Sequence, residues 1–109
     1  MELYWRLFTN CTSQQAALKV AARTFEQAGL EVSNLHAEPY HKGGFMVSAR
    51  SHHAAQSWHE FVVLALASAQ CIGRGWFLSG SIAEELDAWS NHSLVSGVSS
   101  IHIQAERRE

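Results

Sequence analysis

Apolar and polar residues alternate from the start of the chain. Leu3, Trp5 and Leu7 fall on one side of an extended segment and Tyr4, Arg6 and Phe8 on the other, so Leu3 to Thr9 reads as a strand with much of both faces covered. The period then changes. Thr12-Ser13-Gln14-Gln15 offers a hydroxyl N-cap with glutamine three positions on, Leu18, Ala21, Ala22 and Phe25 follow at helical spacing, and Gly29 supplies the stop. Two strand-like runs follow, Leu30 to Tyr40 and Phe45 to Arg50. They are separated by His41-Lys42-Gly43-Gly44, whose glycine pair suits a hairpin turn. Pro39 lacks a ladder donor, which places the end of the second strand at a sheet edge or just outside it.

A second helix shows the stripe Trp58, Phe61, Val62, Ala65, Leu66 and Ala69, with Ser57 and Glu60 as a capping box and an alternative start near Ser51. Gly73 and Gly75 bracket its exit. Arg74 to Gly80, with Trp76, Phe77 and Leu78, reads as a buried fourth strand. Ser81-Ile82-Ala83-Glu84 resembles another capping box, and Ile82, Leu86 and Trp89 at i, i+4 and i+7 predict a short helix. Val98, Ile101, Ile103 and Ala105 predict a last strand, ending in the polar tail Glu106-Arg107-Arg108-Glu109. The order is β-α-β-β-α-β plus an extra short helix and strand. This is an α/β (α+β) chain with the order of a ferredoxin-like two-layer sandwich, two helices on one face of an antiparallel sheet. Trp5, Leu18, Phe25, Phe45, Trp58, Val62 and Trp76 are expected to share one core.

Composition narrows the function classes. The 109 residues, 47% hydrophobic and 17% charged, suit a single domain over 1–109. A net charge of −2 gives no field for collecting phosphates, so nucleic-acid binding is not expected. The apolar run Phe61 to Ala67 is too short to span a bilayer. Met1-Glu2 leads into a strand with no signal-like stretch, which predicts a cytoplasmic protein with Cys11 and Cys71 reduced.

Seven histidines stand out: His36, His41, His52, His53, His59, His92 and His102. A helical metal pair needs i, i+3 or i+4 spacing, and the 52/53 and 52/59 separations miss it, so no metal or other cofactor is expected. His59 is a candidate general base, and either cysteine a candidate nucleophile, only if a partner lies within hydrogen-bond reach. Gly73-Arg74-Gly75 lacks the strand-before, helix-after setting of a phosphate loop and reads as a turn. The segment Glu84-Glu85-Leu86-Asp87-Ala88-Trp89 gathers three acids beside a tryptophan. That is the make-up of an electrostatically steered protein interface, and equally of the first turn of an amphipathic helix.

In size, α/β order and this acidic aromatic stretch, the chain resembles the small bacterial immunity proteins of contact-dependent growth inhibition. The resemblance implies a non-catalytic toxin inhibitor that covers, or locks shut, the active site of a basic, nuclease-like toxin stoichiometrically. With a near-neutral chain, the local cluster Glu84, Glu85 and Asp87, with Trp89 as anchor, is the surface expected to bind it, and neither nucleic acid nor membrane is an expected partner. A second resemblance, in length and strand-helix order, is to small dimeric ferredoxin-like monooxygenases. It would place Asn10, Trp58, His59 and Trp76 around a pocket. The histidines keep open a third class, a homodimeric ligand or metal sensor.

Overall fold

The computed structural model describes residues 1–108. Strand β1 (Glu2–Thr9) alternates strictly, with Leu3, Trp5 and Leu7 fully buried and Glu2, Tyr4 and Arg6 exposed. The expectation that both its faces are covered is therefore corrected: only the odd-numbered face is packed. Helix α1 (Gln14–Gln27) starts where the Ser13 hydroxyl accepts from the Ala16 N–H at 3.1 Å. It ends at Gly29, which has φ +70. Strands β2 (Val32–Pro39) and β3 (Phe45–His52) form a hairpin closed by Tyr40 N–H to Gly44 carbonyl at 3.0 Å. Gly44 has φ +73, and a side chain there would collide with the Thr9 carbonyl.

Helix α2 (Trp58–Gln70) begins at Ser57, whose hydroxyl accepts from the Glu60 N–H, while Ser51 belongs to β3. The predicted buried fourth strand is instead two dipeptide ladders, β4 (Gly73–Arg74) and β5 (Phe77–Leu78), and Phe77 and Leu78 are half exposed. Gly75, at φ +61, turns the chain between them. The predicted short helix is also replaced. Ser81 accepts from the Glu84 and Glu85 N–H groups at 2.9 Å, making one turn, after which Glu85–Ser90 is strand β6. Leu86 and Ala88 alternate with Glu85, Asp87 and Trp89, and that period of two aligns the apolar pair with the covered face of the sheet. β7 (His92–Ser93) pairs with β4, and β8 (Val98–Glu106) closes the chain.

The sheet order is β2-β3-β1-β8-β6-β5, antiparallel at every contact. Beside β3, the other neighbour of β1 is the last strand of the chain rather than the one that directly follows α2, and β6 and β5 extend the sheet beyond it. The architecture is thus α+β, a six-stranded antiparallel sheet with two helices. One buried cluster joins Val47, Ala49, Ile101, Ile103 and Leu86 of the sheet to Ala17, Ala21 and Phe25 of α1 and to Trp58, Phe61 and Ala65 of α2. Trp5, Phe25 and Trp58 lie inside it as expected; Leu18, Phe45, Val62 and Trp76 pack against it half-buried. Small alanines on the inner stripes bring both helices close to the sheet. No helix among the described residues is long and apolar enough to cross a membrane.

Candidate functional site

The pairing register assembles the other face of the sheet. One row crosses all six strands: His36, Ser48, Arg6, His102, Trp89 and Phe77. The next row holds Arg50, Tyr4, Gln104 and Asp87. Among the described residues no helix covers these side chains. Tyr4 is 41% exposed and Phe77 50%.

On one half of this face aromatic rings pack in a continuous row. Trp89 stacks on the His102 ring with centroids 4.3 Å apart, Phe8 stacks on Trp89 at 5.7 Å, and Tyr40 meets Phe8 edge-on at 5.0 Å. Phe8 on β1 and Trp89 on β6 reach each other across β8 because the residue opposite Phe8 is the small Ser100. His102 Nε2 lies 2.7 Å from the Asp87 carboxylate, so its N–H donates there, and the ring is 5% exposed beneath Trp89. A general base must come within about 3 Å of its substrate. This covered histidine holds Trp89 and Asp87 in place rather than facing solvent.

The other half of the face is an open cleft of about 670 Å³ lined by Tyr4, Arg6, Asn34, Ser48, Arg50 and Gln104. Its contour comes from a bulge in β2. The register slips between Ser33 and His36, and Asn34 takes the left-handed conformation at φ 54. The Arg50 guanidinium lies 5.1 Å from the centre of the Tyr4 ring, a cation–π contact. Arg6, two residues along β1 from Tyr4, sits diagonally from Arg50, at a spacing of about 7–8 Å for such neighbours. Among the described residues neither arginine meets a carboxylate within ion-pair distance; the close pairs are His36–Glu38, His102–Asp87 and Arg108–Glu106.

Of the residues singled out in the acidic aromatic stretch, Glu85, Asp87 and Trp89 project from one side of β6 onto this face. Glu84 is exposed in the preceding turn. Asp87 is committed to His102, whereas Glu84 and Glu85 stand at the sheet margin. The residues of the enzyme alternative do not converge on the cleft. Asn10 lies after β1, Trp58 is buried and donates to the Ile82 carbonyl, His59 is exposed on α2, and Trp76 donates to the Gly73 carbonyl. Among the described residues no three His, Cys, Asp or Glu side chains gather as metal ligands would. Every buried side-chain polar atom among them has a protein partner, so the interior offers no unpaired group to a ligand.

One further histidine is built into the core edge. Trp5 Nε1 donates to Ser51 Oγ at 2.8 Å, and Ser51 Oγ lies 2.8 Å from His53 Nε2. The indole is a donor only, which leaves the serine proton for a neutral His53 ring. Burial, then the N-terminal amine and His52, push the His53 pKa below its ordinary value.

Sequence reasoning passed over Tyr4, Arg6, Ser48 and Arg50. The available signal was the even-numbered side of β1, where Arg6 stands between the aromatics Tyr4 and Phe8. Taken as a whole, the chain matches no protein-family model, no curated protein and no solved structure.

Proposed function

We propose that this chain is a non-catalytic binding protein, a cytoplasmic immunity-type inhibitor that neutralises a protein toxin by docking it stoichiometrically on the open face of the sheet. The observation that carries this reading is a six-stranded sheet covered on one side only, with Tyr4, Phe8, Trp89 and Phe77 held on the uncovered side. Aromatic side chains ringed by charge are the usual anchors of protein interfaces. Glu84 and Glu85 at the β6 margin, with Asp87 and Trp89 beside them, would meet the basic surface of a nuclease-like partner. The strand order supports a ferredoxin-like scaffold in which β8 takes the fourth-strand position and β6 and β5 widen the platform.

The test places a photo-crosslinking amino acid at Phe77, and at Lys19 on the far side as a control, in the producing cell. The captured partner is then titrated against the purified protein. Crosslinks from position 77 alone, with an association rate that falls as salt rises and is reduced in E84K/E85K, are expected. Crosslinks from Lys19 alone, a second copy of this chain as the only adduct, or an unchanged rate in the double variant would overturn the reading.

A further inference from the structure

We infer that the Arg6–Tyr4–Arg50 cleft is a carboxylate-binding subsite, which receives one or two acidic side chains of the docked partner together with an apolar neighbour. The inference rests on the reading of the open face as the docking surface and adds the chemistry of what enters it. Two guanidinium groups stand diagonally on adjacent strands in a cleft about 670 Å³ in volume, and among the described residues neither has a carboxylate within ion-pair distance. Their mutual repulsion is relieved when an oxyanion lies between them, and each planar fork can donate two parallel N–H bonds to the oxygens of one carboxylate. Arg50 is already held against the Tyr4 ring, so little freedom remains to be lost on binding. The exposed Tyr4 ring provides an apolar wall, and Ser48, Asn34 and Gln104 are hydrogen-bonding neighbours.

The surrounding charges limit the size of the ligand. Glu2 and Glu106 line the same cleft, and Glu38 stands beyond it on β2. A polyphosphate backbone needs a continuous basic track, and here the basic stretch ends against acids within a strand or two. One or two carboxylates fit; a nucleic-acid strand is repelled at both ends. The face is thus bipolar, with arginines over β1 and β3 and acids at the β6 margin, and a partner must match both poles to dock in register.

The experiment is an NMR titration of the ¹⁵N-labelled full chain with a capped peptide of alternating glutamate and phenylalanine, its glutamine counterpart, and an oligothymidylate. Expected are amide shifts confined to β1 and β3 around Tyr4 and Arg50, affinity about tenfold weaker in R6Q/R50Q, and an intermediate loss in R50K, which keeps the charge but not the fork. R50K alone serves should the double variant fail to fold. Equal binding of the glutamine peptide, shifts centred elsewhere, no shifts at all, or tighter binding of the oligothymidylate would overturn the proposal. None of these outcomes alters the crosslinking result at position 77. Conversely, a cleft that binds the peptide while Phe77 captures nothing would refute the docking face and leave a small-acid site.

Discussion

Trp58 ties the helical layer to the loop that feeds the acidic margin, so its removal should be felt twice. The side chain is 2% exposed, stacks on Phe61 at 5.5 Å and donates from Nε1 to the Ile82 carbonyl at 2.6 Å. A buried tryptophan removes about 200 Å² from water, about 5 kcal/mol at about 25 cal/mol per Å² as an upper bound. Trp58→Ala should therefore cost about 3–5 kcal/mol, within the range for large aromatic truncations. Trp58→Phe keeps most of the volume and loses the hydrogen bond. Because Ile82 is itself exposed, its carbonyl can turn to water, and the loss should be only about 1 kcal/mol. Urea unfolding followed by far-UV circular dichroism separates the two, since it does not depend on tryptophan emission. Amide exchange over Ser79 to Glu85 should quicken in both variants, reporting the freed loop. A cost below about 1.5 kcal/mol for Trp58→Ala would refute the packing argument. Equal costs for both variants would show that the hydrogen bond, not the buried volume, holds this corner together.

Three further outcomes follow from named contacts. His53 has a depressed pKa in the folded state, so the unfolded chain takes up a proton first as pH falls below about 6.5. Stability is then fully present above that value and declines on acidification until the folded ring itself protonates. Urea midpoints between about pH 7.5 and 5.5 should fall more steeply in the wild type than in His53→Gln, and parallel curves would assign the effect to other groups. Gly44→Ala should cost several kcal/mol, about 3 or more, because the methyl meets the Thr9 carbonyl at positive φ. Gly43→Ala, at φ +102 with open space, should pay only the backbone strain of about 1–2 kcal/mol, and thermal melts decide between them. Asp87→Ala leaves the His102 N–H unpaired beneath Trp89. It should destabilise by about 1–3 kcal/mol and shift Trp89 emission, whereas an unchanged melt would mean that the pair is dispensable.

Local pattern alone specified much of this molecule. The two helices, the serine cap at Ser57, the Gly43-Gly44 hairpin and the buried side of β1 follow from periodicities and turn chemistry that act within a few residues, while the cap of α1 falls on Ser13, one residue past the Thr12 that the glutamine spacing pointed to. Where two periods fitted, tertiary pairing chose. Ile82, Leu86 and Trp89 satisfy helical spacing, yet Leu86 and Ala88 are fully buried as alternate residues of a strand against Ala105 and Ile103 of β8, and Ile82 stays exposed. Arg74 to Gly80 looked like one strand because it is apolar. It splits because Gly75 turns the chain and each half finds a different partner, β7 or β6. The candidate site lay almost wholly beyond reach of sequence. Glu85, Asp87 and Trp89 were visible as a local cluster, but Arg6 and Arg50 are 44 positions apart in the chain and become diagonal neighbours only through the β1–β3 register. His102 meets Asp87 and Trp89 only through the β6–β8 register. Such contacts depend on which strands lie side by side, a property that no short window of residues carries.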